Sequence, residues 1–310
     1  MSNELCALKR MIGAKAPPVR YAISASSLRY FADSLMDIGW RYDGEYRHTP
    51  PVFFGTAFDL VDIPAGDTRT MFGLELPLPA GWSVVATGDD FEMHAPVTPG
   101  MTLTCTESFV DAWEKQGRSG RLIFFVVQKE FEDINGSTIL RRRLTAAARE
   151  STPLASVKQR NLGPEERDGT ALPLLTVGPV TVRHLAMFAT ATAEFVDIHY
   201  DADYARSVGL PGPIIQGLYK TALIGQMLAR STGETGRVVK LSVEHRDIDP
   251  AGSTLTAGGR IQVPAEQSDY GTSACDVWIR NQDGIITTHG AAVIRHNNKV
   301  KDGHKGSRVE

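Results

Sequence analysis

The most chemically loaded stretch of this 310-residue chain is Ala193–Asp203, AEFVDIHYDAD, in which four acidic residues flank one histidine. A carboxylate and an imidazole on one loop after a helix can hold a water between them, the carboxylate taking its proton while the histidine orients or donates. Glu194 and His199 are the candidates for that pair. The structural alternative is a solvated turn of Asp197, Asp201 and Asp203, with His199 capping a helix end. Eighteen residues after His199 stands Gly217, preceded by the apolar Ile214-Ile215. A glycine at a helix amino terminus offers an unpaired backbone N–H, a favourable dipole and no Cβ to block a ligand oxygen, so it can build an oxyanion site. A plain turn glycine is the alternative there. No GxSxG elbow, P-loop or GxGxxG fingerprint occurs, and none of the three cysteines, Cys6, Cys105 and Cys275, has a neighbouring histidine motif. Acid–base chemistry on water is what remains.

The elements that must position these residues are repeated. Ile23–Asp37, ISASSLRYFADSLMD, matches Val180–Glu194, VTVRHLAMFATATAE, so that Asp37 corresponds to Glu194. Further on, Asp90–Thr104, DFEMHAPVTPGMTLT, matches Ser242–Thr256, SVEHRDIDPAGSTLT, with Glu92 on Glu244 and Gly100 on Gly252. Two matches in the same order indicate duplication. The Leu28–Phe31–Ala32–Leu35 and Leu185–Phe188–Ala189 spacings predict a short opening helix in each half, with Ser24 or Ser26 and Thr181 as caps. Alternating β-branched runs predict strands over Leu122–Lys129, Thr138–Ala146, Val238–Val243, Leu255–Val263, Ser273–Arg280 and Gly284–Ile294. Turn signals at Pro99-Gly100, Asn135-Gly136, Pro250-Ala251-Gly252 and Asp283-Gly284 make the sheet mostly antiparallel. Gly217–Ser231, GLYKTALIGQMLARS, has helical spacing and predicts a longer helix ending near Gly233. One long helix and one curved antiparallel sheet per half is an α+β unit.

Composition narrows the classes of function. Hydrophobic residues make up 42% and charged residues 22%, which excludes disorder for the bulk of the chain. Lys+Arg 33 against Asp+Glu 36 gives a net charge of -3, with no basic field for nucleic acid. The cysteines are far apart and odd in number, with no metal-ligand spacing, so a reduced compartment and no metal are expected. No run reaches the ~20 apolar residues of a membrane helix, and the amino end is too polar for a secretory segment. The expectation is a cytoplasmic protein that binds neither nucleic acid nor membrane. It divides into an extension (1–18), a first domain (19–150), a Pro-punctuated linker (151–173), a second domain carrying the site (174–296) and a polar, basic tail (297–310).

These residues resemble the MaoC-like, (R)-specific enoyl-CoA hydratases and dehydratases, over nearly the whole chain. That family's signature runs Asp-x-Asn-Pro-apolar-His-x-Asp, then a Tyr/Phe-Ala pair, then a glycine eighteen residues after the histidine at the start of a central helix. Here it reads Glu194-Phe195-Val196-Asp197-Ile198-His199-Tyr200-Asp201, then Tyr204-Ala205, then Gly217. The resemblance implies a double hotdog, each half a sheet wrapped around a long helix. It makes Glu194 and His199 the catalytic pair, Gly217 the oxyanion glycine, and the first half a degenerate hotdog that gives room to a bulky acyl chain. In that half Tyr42 stands where His199 stands in the second. Three departures matter: Glu194 is one methylene longer than the family's Asp, Val196 and Asp197 replace Asn-Pro, and Gly225 replaces a small hydroxyl residue. Asp197, Asp201 and Thr221 are therefore secondary candidates.

The implied activity is that of a hydro-lyase of fatty acid metabolism, adding water reversibly across the 2,3 double bond of a 2-enoyl-CoA, with a bulky or long acyl group. Coenzyme A enters only as part of the substrate, and no metal or redox cofactor is implied. Lys220, Arg206 and Arg141–Arg143 are candidates for its phosphates, against the simpler reading of solvated charge; its binding residues are unknown. One alternative is a dehydratase acting on a carrier-protein-bound 3-hydroxyacyl thioester. Another is a degenerate hotdog that binds acyl-CoA or a partner protein. A hotdog thioesterase fits less well, since Gly217–Ser231 carries no acid. Two hotdogs in one chain form a pseudo-dimer, and a further homodimer is compatible with that.

Overall fold

The computed structural model describes residues 2–36, 74–79, 81–117, 120–150, 169–192, 194–232, 236–264 and 271–296. In chain order the elements are α1 (Asn3–Lys9), β1 (Val19–Ala22), α2 (Ala25–Ser34), β2 (Trp82–Met93), β3 (Thr102–Gly117), β4 (Gly120–Glu132), β5 (Thr138–Glu150), β6 (Thr170–Ala171) and β7 (Leu175–Val177). There follow α3 (Val182–Thr192), one 3-10 turn (Asp197–His199), α4 (Ala202–Ser207), α5 (Gly217–Thr232), β8 (Arg237–His245), β9 (Leu255–Val263), β10 (Thr272–Asn281) and β11 (Ile286–Arg295). All six strands expected from alternation are present, most of them a residue or more longer at one or both ends, and α5 opens at Gly217 as expected.

The strands form one sheet in the order β1-β3-β4-β5-β2-β8-β11-β10-β9-β6, with β7 also on β9. Every pairing is antiparallel. The order reads as two copies of one four-strand pattern meeting at β2 and β8, where Asp90 lies opposite Ser242. Duplication thus places the two halves back to back through a shared strand pair. The hairpins repeat as well: Asp133 Oδ1 accepts from the N–H groups of Asn135 and Ser137 around Gly136, and Asn281 Oδ1 accepts from those of Asp283 and Ile285 around Gly284.

Among the described residues, apolar faces assemble two large cores and a small cluster of Ala205, Leu210 and Ile214. One joins both halves, with Phe31 of α2, Phe188 of α3 and Tyr219 of α5 in line: the ring centroids of Phe31 and Phe188 are 5.6 Å apart and those of Phe188 and Tyr219 5.2 Å. The second lies within the first half, where Phe109 and Phe125 stack and Leu5 and Leu8 of α1 cover them. Residues 1–18 thus contribute a core-covering helix. Ser24 caps α2 by accepting from the N–H of Ser27, while at α3 the His184 ring accepts from the N–H of Thr181. The tail, most of the linker, the long helix expected in the first half, and Asp37 and Tyr42 lie outside the described residues. After residue 168, Thr170–Ala171 pairs with Arg260 and Ile261 as a strand.

Candidate active site

The loop between α3 and α5 is built by local bonds. The N–H of Glu194 donates to Ala189 O at 3.1 Å, closing α3, and Glu194 is half-buried with Oε2 shielded from water. A 3-10 turn then carries His199, and Asp201 caps α4 by accepting from the N–H groups of Asp203 and Tyr204, both at 2.9 Å. Asp201 Oδ1 therefore serves the backbone. Asp197 accepts from the Tyr200 hydroxyl at 3.1 Å, and burial together with Asp197 pushes that phenol up to about 12.

His199 does not cap a helix end. It is buried, and its Nδ1 lies 2.8 Å from Ile214 O, while the N–H of Ile214 donates to Ile198 O at 3.1 Å. A carbonyl can only accept, so Nδ1 carries the proton and Nε2 keeps its lone pair. Burial lowers the imidazole pKa from 6.5 to about 4, which leaves the ring neutral at physiological pH. The carbonyl that holds His199 belongs to the segment entering α5. That segment is pinned on both sides: the N–H of Ile215 donates to Asp249 O at 2.8 Å and Gln216 Nε2 to Leu185 O at 3.1 Å. His199 and the amino terminus of α5 are thus fixed relative to one another.

Gly217 is the first residue of α5, where a backbone N–H has no intrahelical acceptor. Its missing side chain has a cause that the sequence did not reveal. A Cβ there would lie 2.8 Å from Cδ2 and 2.8 Å from Nε2 of His245, so the glycine makes room for a second imidazole. Thr221 is buried and donates its hydroxyl proton to Gly217 O at 3.3 Å.

The basic candidates divide. Lys220 is buried, donates to Asp247 O at 2.8 Å and pairs with Asp249 at 3.1 Å, so it is neither a solvated charge nor placed to meet a phosphate. Arg206 is exposed and pairs with Asp203. Along β5 the arginines alternate: Arg141 bonds Glu92 and Glu130, Arg143 bonds Gln128, and Arg142 turns inward onto Asp89. Among the described residues no group of three or more His, Cys, Asp or Glu side chains could hold a metal ion, and no helix is long and apolar enough to cross a membrane.

The polar residues that sequence reasoning missed are Asp89 and Asp249, both buried, and His245, whose side chain is 8% exposed; Arg142, read as a phosphate candidate, is buried against Asp89 instead. The local signal was weak: His245 lies in the repeated strand motif, but Asp89 and Arg142 reach it only through the pairing of β2 with β8.

The profile of the FAS1-like dehydratase domain region matches residues 10–142, and that of the MaoC-like domain matches residues 172–263. Among solved structures, a MaoC-like dehydratase superposes with a TM-score of 0.72 at 18% identity, covering 94% of this chain and 100% of its own. The peroxisomal multifunctional enzyme type 2 of Drosophila melanogaster gives 0.63 at 15% identity, over 90% of this chain and 48% of that larger one. A Mycobacterium tuberculosis protein described as having a double hotdog fold gives 0.58 at 11%, over 91% of this chain and 96% of its own. A comparison with curated proteins gives no match. The first half of the chain thus carries a FAS1-like dehydratase domain region and the second half a MaoC-like domain, joined in one antiparallel sheet.

Proposed function

We propose that this protein is a hydro-lyase that adds water reversibly across the 2,3 double bond of a 2-enoyl-CoA, using Glu194, His199 and Gly217. The observation that carries this reading is the His199–Ile214 bond, which fixes one tautomer of a neutral imidazole beside the amino terminus of α5. In that tautomer Nε2 is an acceptor, so His199 orients a water by taking a hydrogen bond from one of its O–H groups. The other O–H faces Glu194. As the water oxygen bonds to C3, Glu194 takes that proton and passes it to C2. The hydrogen held by His199 stays on the new hydroxyl. Negative charge that gathers on the thioester oxygen is met by the Gly217 N–H at the positive end of α5. Dehydration runs the same steps backwards.

The longer Glu194 fits this scheme because its loop closes α3 directly, while Asp197 is occupied by Tyr200 and Asp201 by the cap of α4. A bulky or long acyl group is the substrate class, with the first half giving it room. The test is loss of the enoyl-thioester absorbance band with a panel of 2-enoyl-CoAs from short to steroid-sized, for the native protein beside His199→Ala and Glu194→Gln. We expect turnover by the native protein and a drop of at least a hundredfold in kcat for each variant, in line with the contribution of general acid–base groups. Binding of acyl-CoA without turnover of any substrate would identify a binding protein instead, and turnover restricted to carrier-protein thioesters a biosynthetic dehydratase.

A further inference from the structure

A buried polar chain crosses from one half of the molecule to the other and ends on Gly217. It starts at Arg142 on β5, whose Nε and Nη2 both reach Asp89 Oδ1, at 2.7 and 2.6 Å, while its guanidinium lies 5.6 Å from the centre of the Phe91 ring. That fork leaves Asp89 Oδ2 facing His245 Nε2 at 3.6 Å, across the seam where Asp89 pairs with Val243 in the sheet. The other ring nitrogen of His245, Nδ1, lies 3.2 Å from the Thr288 hydroxyl on β11. The imidazole thus has a polar neighbour from each half, Asp89 and Thr288, and its Cδ2–Nε2 side rests where Gly217 would carry a Cβ. The side chains of Asp89, Arg142 and His245 are 1%, 7% and 8% exposed, so none of these contacts is a solvated surface pair.

We propose that His245 is a positioning residue of the Gly217 site, held by Asp89 and Arg142 of the first half, so that the amino-terminal hotdog completes the active site of the other. The inference rests on the function proposed above. An ion pair buried at a seam adds little net stability compared with apolar side chains of the same size, because its desolvation cost offsets its attraction. What it supplies is direction. The Asp89 carboxylate faces the ring of His245, the ring packs on Gly217, and one turn further into α5 Lys220 ties the same helix end to Asp249, which also accepts from Asn281 and Thr287. An N–H that must meet a developing oxyanion loses much of its effect when displaced by an ångström, at a cost of ~10²-fold in rate. The chemistry therefore depends on residues that touch no substrate.

The test compares native protein with His245→Phe, Asp89→Asn and the double variant Asp89→Leu/Arg142→Met, which removes the ion pair without leaving a buried charge alone. For each, kcat and KM are measured on a 2-enoyl-CoA that the native protein hydrates, together with the affinity for a saturated acyl-CoA and the thermal midpoint. We expect kcat to fall about tenfold or more in all three, with KM and acyl-CoA affinity within about twofold of native. The double variant is expected to remain folded. A folded double variant with native kcat would overturn the proposal, as would a loss in KM alone. If the native protein turns over no 2-enoyl-CoA, the proposed function fails and the positional claim is read by NMR. The Gly217 amide signal of labelled protein must then shift in the double variant, and an unchanged signal would overturn this claim separately.

Discussion

His199 owes its chemistry to one hydrogen bond and to burial. Without the carbonyl of Ile214 either ring nitrogen could carry the proton, and in water the ring would be half-charged near pH 6.5. In the fold its pKa is about 4, so between those two values the unfolded chain binds a proton that the native protein refuses. The contribution of His199 to stability is therefore complete above about pH 6.5 and lost progressively as pH falls toward 4. Urea unfolding at pH 7.5 and pH 5 should show native protein losing about 2 kcal/mol more than His199→Gln over that interval, since every other titrating group is common to both. Parallel losses would mean that His199 is not held neutral by the fold. His199 and Gly217 were legible in the sequence because loop and helix start are local features, readable by spacing. His245 was not, because its partners stand on β2 and β5, far away in the chain, and only strand pairing brings them together. Lys220 misled for a related reason: a lysine in an apolar helix reads as solvated, and nothing nearby in sequence announces Asp249.

Among the elements, β8 has the most demanding position, since it pairs with β11 inside its own half and with β2 across the seam. Both neighbours approach it with glycines. A Cβ on Gly290 of β11 would collide with Ser242 O, and one on Gly88 of β2 would lie 2.7 Å from Val243 O. Gly290→Ala should therefore force β11 away from β8 and destabilise the protein by about 3 kcal/mol, the scale of an overpacked core, as measured by chemical denaturation. A change below about 0.5 kcal/mol would show that the seam tolerates a wider spacing. In the second half β8 to β11 were legible from their alternation, and so were β4 and β5 in the first, whereas the short β6 and β7 were not. β2 was not. Its register shifts between Ala86 and Gly88, which breaks the period, and Gly88-Asp89-Asp90 has the composition of a turn. The residues that hide the strand are those that carry the polar chain to His245. The short α1 and α4 also escaped, since a single turn or two shows no periodicity to count, and α4 depends on one aspartate cap.

At the scale of the whole molecule, the two halves are joined by contacts that do not depend on the chain connecting them, among them the β2–β8 pairing, the Arg142–Asp89–His245 chain, and the aromatic row Phe31–Phe188–Tyr219, in which the Tyr219 hydroxyl also donates to Ser34 O at 3.3 Å. A half taken alone would expose an unpaired strand along its inner edge and one side of a shared apolar core. Neither half has an independent boundary at the seam, so both should melt together. Calorimetry should then give one transition whose measured enthalpy equals its van't Hoff enthalpy, although chains of this length commonly unfold in stages. Phe31→Ala, which removes a fully buried ring from the first half, should lower that single transition by about 4 kcal/mol of stability, and the second half should melt with it. A first half that melts early while the tryptophan of β10, Trp278, keeps its native fluorescence would show that the seam is a contact between two domains. In that case Asp89 could hold His245 only while the first half stays folded, and activity should vanish at the lower transition.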